Sequence, residues 1–192
     1  MSLRVLVPLA EGFEEIEAIV PIDVFRRAGL EVLVAGLEKG SVMASRQTVH
    51  LPDAWLEDVL HESFDLIYLP GGQPGANHLA AHLGLRGKLR EQVKAGQWLS
   101  AICAAPLALE KANLLVGHSF VCHPGAAKEI ASGVPRDATV VVDGKLITGR
   151  SAGAAMELAL TVLRELMGAA KVREVNEGLI CDPLLIDRIL DV

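Results

Sequence analysis

Leu3-Arg4-Val5-Leu6-Val7-Pro8-Leu9, Phe64-Asp65-Leu66-Ile67-Tyr68-Leu69-Pro70 and Trp98-Leu99-Ser100-Ala101-Ile102-Cys103 decide the fold. Each is apolar almost without interruption rather than alternating. A strand of that kind is buried on both faces, as in a parallel sheet covered by helices. Glu31–Gly36, Ser119–Pro124 and Lys145–Gly149 extend the series of strands. Helical patterns lie between them. Glu14–Ala28 is stopped by Gly29, and Pro21 is expected to kink or break it. Leu83–Ala95, Ala104–Leu114 and Ala152–Met167 are the other helices. Strand and helix alternating through short connections predict an α/β, three-layer sandwich around a mainly parallel sheet. Leu37–Leu51 reads as a hairpin excursion, and Asp143-Gly144 as a hairpin turn between two apolar runs. Lys171–Val192 reads as a helical tail with one apolar face, so 1–192 is taken as one domain with that appendage.

The composition agrees and narrows the function. Of 192 residues, 51% are hydrophobic and 22% charged, enough for a large core. Aromatics are only 4%, too few for base-stacking platforms, and the net charge of −6 gives no footprint for nucleic acid or an anionic membrane. The mean hydropathy is +0.38, yet no apolar run approaches the roughly 20 residues of a membrane span. No signal-peptide pattern is read at the N-terminus. The 3 Cys (Cys103, Cys122 and Cys181) fit no zinc spacing and no disulfide framework. A cytoplasmic protein with free thiols, binding neither nucleic acid nor membrane, is the expectation.

Sites in such sheets form beyond the carboxyl ends of the strands. Glu11-Gly-Phe-Glu-Glu, Gly71-Gly72, Cys103 and His123-Pro124 all fall there. Cys103 lies between a strand and a helix, flanked by Ala101, Ala104 and Ala105. A sharp turn carrying a nucleophile needs small neighbours, and a helix N-terminus is expected to lower the thiol pKa. The alternative is a small buried hydrophobe. Gly71-Gly72 offers unobstructed N–H groups for an oxyanion hole, or simply a turn. Glu17 shares a helix face with Glu14; if buried, it stays protonated near neutrality and can donate to a thiolate. His123 ends a strand in the same layer, where an imidazole is a candidate base for a thiol. His78 and His82 have zinc-like i,i+4 spacing, but the sequence between them is Leu-Ala-Ala and no third ligand is evident, so no metal is expected. Gly149-Arg150-Ser151-Ala152-Gly153 matches G-x-S-x-G, but no His follows Ser151, so it reads as a tight turn.

Taken together, the stretches Glu11–Val24, Phe25-Arg-Arg-Ala-Gly, Leu69-Pro-Gly-Gly, Ala101-Ile-Cys-Ala-Ala-Pro and His123-Pro124 resemble the ThiJ/PfpI superfamily, on its DJ-one branch. The likeness runs to about residue 170. It implies a flavodoxin-like sandwich forming a homodimer, with Arg27 near the interface. It implies a reactive Cys103, a protonated Glu17 against it, His123 beside it, and Gly72 and Ala104 N–H groups as the oxyanion hole. Arg46 and Arg150 would lie near the site and hold an anion. The implied activity is a cofactor-free glyoxalase and deglycase, acting on small 2-oxoaldehydes and glycated protein through a hemithioacetal on Cys103. A redox-responsive, stress-protective chaperone whose Cys103 becomes sulfinate is the second implied role. The protease-like branch has His directly after its Cys; here Ala104 stands there, which argues against a peptidase. Two further cysteines of the animal branch fall at Ala44 and Leu51, and its Gly-Pro-Gly turn is Ser151-Ala152-Gly153.

Overall fold

In β1 (Arg4–Leu9), Val5, Val7 and Leu9 enter one apolar core and Leu6 enters another. The strand needs apolar residues throughout because each face meets its own helical layer. The computed structural model describes residues 2–191. Six further strands join β1: β2 (Glu31–Gly36), β5 (Ala54–Trp55), β6 (Leu66–Leu69), β7 (Trp98–Ile102), β10 (Val140–Asp143) and β11 (Leu146–Gly149). Their order is β10-β11-β7-β6-β1-β2-β5, parallel except for the β10–β11 hairpin. Asp143 pairs with Leu146 at that hairpin, around the Asp-Gly turn the sequence marks. The excursion after β2 forms a small antiparallel ribbon of β3 (Val42–Met43) and β4 (Val49–His50).

One helical layer holds α1 (Glu15–Arg27), α7 (Ala155–Met167), α8 (Ala169–Leu179) and α9 (Pro183–Leu190). Phe25, Leu158 and Leu163 are buried in the core that this layer shares with the sheet, and Val172 and Ile189 join the same core from α8 and α9, which pack on α7. The tail is therefore part of this layer: Ile186 and Ile189 are buried, and Arg164 donates to the Ile189 carbonyl at 2.6 Å. The opposite layer holds α2 (Leu56–Val59), α3 (Gly75–Ala81), α4 (Leu83–Lys94), α5 (Pro106–Lys111) and α6 (Pro124–Ala127). Leu79, Leu85, Leu89 and Leu107 pack there against Ile67, Leu69 and Leu99.

Three expectations change. Ser119–Pro124 does not join the central sheet. Only β8 (Ser119–Phe120) is extended, in a two-stranded ribbon with β9 (Val134–Pro135). The chain then reaches the sheet through a side chain, as the Val121 N–H donates to Thr148 Oγ1 at 3.0 Å. Pro21 does not break α1, which runs on to Arg27. The carbonyl that Pro21 leaves without a donor, that of Glu17, accepts the Tyr68 hydroxyl at 2.7 Å. The segment Ala104–Leu114 yields a shorter helix, because α5 begins only at Pro106 and ends at Lys111.

Candidate active site

The turns that follow β1, β6, β7 and β11 meet at the carboxyl edge of the sheet. Cys103 occupies the turn after β7 with φ of 61°, a left-handed conformation that costs a non-glycine residue free energy. Neighbouring turns hold it there. Its N–H donates to the Gly149 carbonyl at 2.9 Å, and its carbonyl accepts from the His123 N–H at 2.9 Å. Its side chain is half-buried.

Glu17 reaches it from the first turns of α1. Glu14 caps that helix, its Oε2 accepting from the Glu17 N–H at 2.9 Å. Glu17 is 1% exposed, and its carboxyl hydrogen-bonds the Cys103 thiol. The Gly71 N–H donates to Oε2 at 3.0 Å, and the Ala152 N–H also donates to the carboxyl. Burial is the main reason its pKa rises to about 7; the contact with Cys103 opposes the rise and the charge of Glu14 adds to it. The Cys103 thiol is pushed up to about 12, first by burial and then by the charge and hydrogen bond of Glu17. N–H groups of Gly72 and Ala104 point at the sulfur and pull the other way.

This corrects the expectation of a thiol acidified by a helix N-terminus. Helix α5 has only 6 residues and starts at Pro106, beyond Ala104 and Ala105. Its dipole is outweighed by burial and by a neighbouring carboxylate. Above about pH 7 the two groups hold one proton between them. The sulfur becomes nucleophilic when Glu17 takes that proton.

The glycine pair is required by space. A Cβ on Gly71 would lie 2.5 Å from Glu17 Oε2 and 2.7 Å from Cys103 Cβ. On Gly72, with φ of 90°, it would lie 2.3 Å from the Glu14 nitrogen.

A cleft of about 660 Å³ opens above Cys103, lined among others by Glu14, Arg46, Gln73, Asn77, His123 and Glu129. His123 faces this cleft but is not paired with the sulfur. Its Nδ1 accepts from the Gly125 N–H at 3.0 Å as the cap of α6. A neutral ring therefore carries its proton on Nε2, ready to donate rather than to accept. That corrects the reading of His123 as the base for Cys103; the position belongs to Glu17. Arg46 lines the cleft, its guanidinium donating only to the Ser45 carbonyl among the contacts described, at 3.3 Å. Arg150 is not brought to the cleft. Its guanidinium is held by the Ala138 carbonyl at 2.9 Å and by Asp137. His78 and His82 serve other ends: His82 caps α4 through Nδ1, and His78 Nδ1 lies 3.2 Å from the Glu11 carbonyl.

Two groups at this site escape sequence reading. Ala152 contributes an N–H from the G-x-S-x-G segment, so that turn holds Glu17 rather than presenting a serine. Tyr68 contributes a hydroxyl from inside a wholly apolar strand.

The model of the DJ-1/PfpI family matches residues 3–165. The chain belongs to this family. Protein dj-1beta of Drosophila melanogaster is 43% identical over 183 residues, spanning 94% of this chain and 98% of that protein. The family fold is equally plain. The crystal structure of Drosophila melanogaster DJ-1beta superposes with a TM-score of 0.92 at 42% identity, covering 95% of this chain and 100% of the other. A Caenorhabditis elegans family member named glutathione-independent glyoxalase DJR-1.2 is 36% identical over 180 residues, or 93% of this chain and 95% of its own length.

Proposed function

We propose that this chain is a cysteine-dependent, cofactor-free glyoxalase and deglycase acting on 2-oxoaldehydes, such as methylglyoxal and glyoxal, and on early glycation adducts. The observation that carries this reading is the hydrogen bond between the buried Glu17 carboxyl and the Cys103 thiol, with the N–H groups of Gly72 and Ala104 aimed at the same sulfur. The nematode relative's name supports the same chemistry.

Cys103 sulfur attacks the aldehyde carbon while ionised Glu17 takes the thiol proton. The carbonyl oxygen becomes an alkoxide, stabilised by the Gly72 and Ala104 N–H groups. Glu17 returns the proton to that oxygen, giving a neutral hemithioacetal. Glu17 then removes the proton from the former aldehyde carbon as the neighbouring carbonyl oxygen takes up the proton of the hemithioacetal hydroxyl, and Glu17 returns the carbon-derived proton to that neighbouring carbon. The result is a thioester of a 2-hydroxy acid, an isomer needing no oxidant. His123 lines the cleft and, with Nδ1 accepting the Gly125 N–H, offers its Nε2 proton to polarise the second carbonyl during this transfer. Water cleaves the thioester, releasing the acid and the thiol. The sum is one dicarbonyl plus one water giving one 2-hydroxy acid.

Steady-state loss of methylglyoxal is compared for wild type and Cys103→Ser. Turnover should vanish in the variant; equal loss in both rules the mechanism out.

The same donors favour a second reading, a redox-responsive protective protein. A sulfinate on Cys103 would receive hydrogen bonds from Gly72, Ala104 and protonated Glu17. Selective gain of two oxygens at Cys103 under mild peroxide, with negligible aldehyde turnover, would favour it.

We further infer a cytoplasmic homodimer. Ile16 and Ile19 are 51% and 39% exposed on α1, an apolar strip suited to a second copy. Arg27 lies on the same helix, paired with Asp23 at 2.7 Å. Ile16→Lys should leave a monomer by light scattering.

A further inference from the structure

In an α-helix the carbonyl of residue i receives the N–H of residue i+4. For Glu17 that residue is Pro21, which has no N–H and whose ring crowds the carbonyl. Glu17 is 1% exposed, so water cannot supply the missing donor. A buried carbonyl left alone is costly, and a helix in that position would shift to satisfy it. Tyr68 supplies the bond, its hydroxyl donating at 2.7 Å. The residue is 0% exposed, and its ring stands edge-on to Phe25 of the same helix, with centroids 5.8 Å apart.

The same strand ends one position farther along at Leu69, and beyond Pro70 the Gly71 N–H donates to the Glu17 carboxyl at 3.0 Å. One segment thus holds Glu17 at both ends, by its main-chain carbonyl and by its carboxyl. We propose that Tyr68 is a positioning residue for Glu17, acting through the main-chain carbonyl that Pro21 leaves without a helical donor. It touches neither sulfur nor substrate in this role; it fixes the helix from which the carboxyl reaches Cys103.

The inference rests on Glu17 being the proton partner of Cys103, but not on any aldehyde being the substrate. The titratable groups bearing on Glu17 are Glu14 of its own helix, Cys103 beyond β7 and Tyr68 on β6; Gly71 and Ala152 add backbone N–H groups. Burial holds the Tyr68 phenol well above its ordinary value, so it remains a donor across the working pH range.

The test is alkylation of Cys103 by iodoacetamide from pH 5 to 9, followed by peptide mass spectrometry, which needs no aldehyde. Tyr68→Phe keeps the ring and removes the donor. With the helix slackened and Glu17 better hydrated, the inflection should move toward acid by at least about half a pH unit. Adding Pro21→Ala gives residue 21 an N–H for the same carbonyl. The double variant should return the inflection to the wild-type position. A Tyr68→Phe protein that melts earlier but keeps its inflection would reduce Tyr68 to a structural residue and overturn the proposal. So would a double variant that fails to return. If Tyr68→Phe alone does not fold, the double variant decides: a wild-type inflection supports the proposal, and a shifted inflection or an unfolded protein overturns it. Loss of methylglyoxal turnover in wild type would sink the proposed activity and leave this inference standing.

Discussion

Cys103 and Cys122 are both shielded thiols in turns that follow strands, and both are pushed up in pKa by burial. Their surroundings separate them. Among the described residues, the Cys122 thiol has the carbonyl of His123 as its polar partner, at 3.5 Å, and an apolar environment of the kind that suits a small hydrophobe. Cys103 has a carboxyl able to take its proton and two N–H groups aimed at the sulfur. Burial alone makes a thiol inert. Burial beside a proton acceptor makes it conditionally reactive, because the acceptor is raised into the same pH range.

The largest effect that this contrast predicts is loss of the sulfur. Cys103→Ala should lower methylglyoxal turnover by more than about a thousandfold, as expected for removal of a covalent nucleophile. Glu17→Gln comes next. It keeps the shape and hydrogen-bonding capacity but cannot accept the proton, so turnover should fall by about a hundredfold, within the usual range for general acid–base catalysis. The inflection of Cys103 alkylation near pH 7 should also disappear.

Stability gives an independent reading of the same carboxyl. The native pKa of Glu17 lies above its unfolded value, so its contribution is intact below the unfolded value. It is lost as pH rises from about 4.5 through about 7. A shift of that size corresponds to about 3 kcal/mol. Urea melts of wild type should therefore weaken from pH 5 to 8 relative to Glu17→Gln. Parallel curves would mean that Glu17 is not buried in its neutral form.

Gly71→Ala is expected to be milder in chemistry. The new methyl would press on Glu17 and on the Ile102 carbonyl, which lies 2.8 Å from the Cβ position. Turnover should fall by about tenfold through displacement of the carboxyl, with KM little changed. The smallest effect belongs to Cys122→Ala. Turnover should stay within about twofold of wild type, with stability lowered by about 1 kcal/mol. A large loss there would erase the distinction between the two thiols.

The sheet was readable because its strands are apolar on both faces, a demand that falls on every residue of Leu66–Leu69. Ser119–Val121 carries the same apolar signal for another reason: Phe120 fills the helical side of the core while the chain runs beside the sheet. Cys103, Glu17 and the glycine pair were visible as motif residues at strand ends. The proton balance was not visible, because it depends on how deeply α1 buries Glu17 against a turn far away in sequence. Tyr68 and Ala152 were hidden for a related reason. One acts from an apolar strand and the other through its backbone, and neither leaves a side-chain pattern.

The segments that follow β1, β6, β7 and β11 each deliver one part: Glu17 from α1, then Gly71, Cys103 and Ala152. None of these contacts is local, so the constellation cannot form piecemeal on a partly folded chain. During synthesis, Glu17 and Cys103 emerge well before Ala152, and until β11 docks Cys103 lacks the Gly149 carbonyl that receives its N–H and Glu17 lacks the Ala152 N–H. The pH signature of Cys103 alkylation thus dates the completion of folding. It should develop only after secondary structure and collapse are established, making the active thiol a built-in clock for the last stage of assembly.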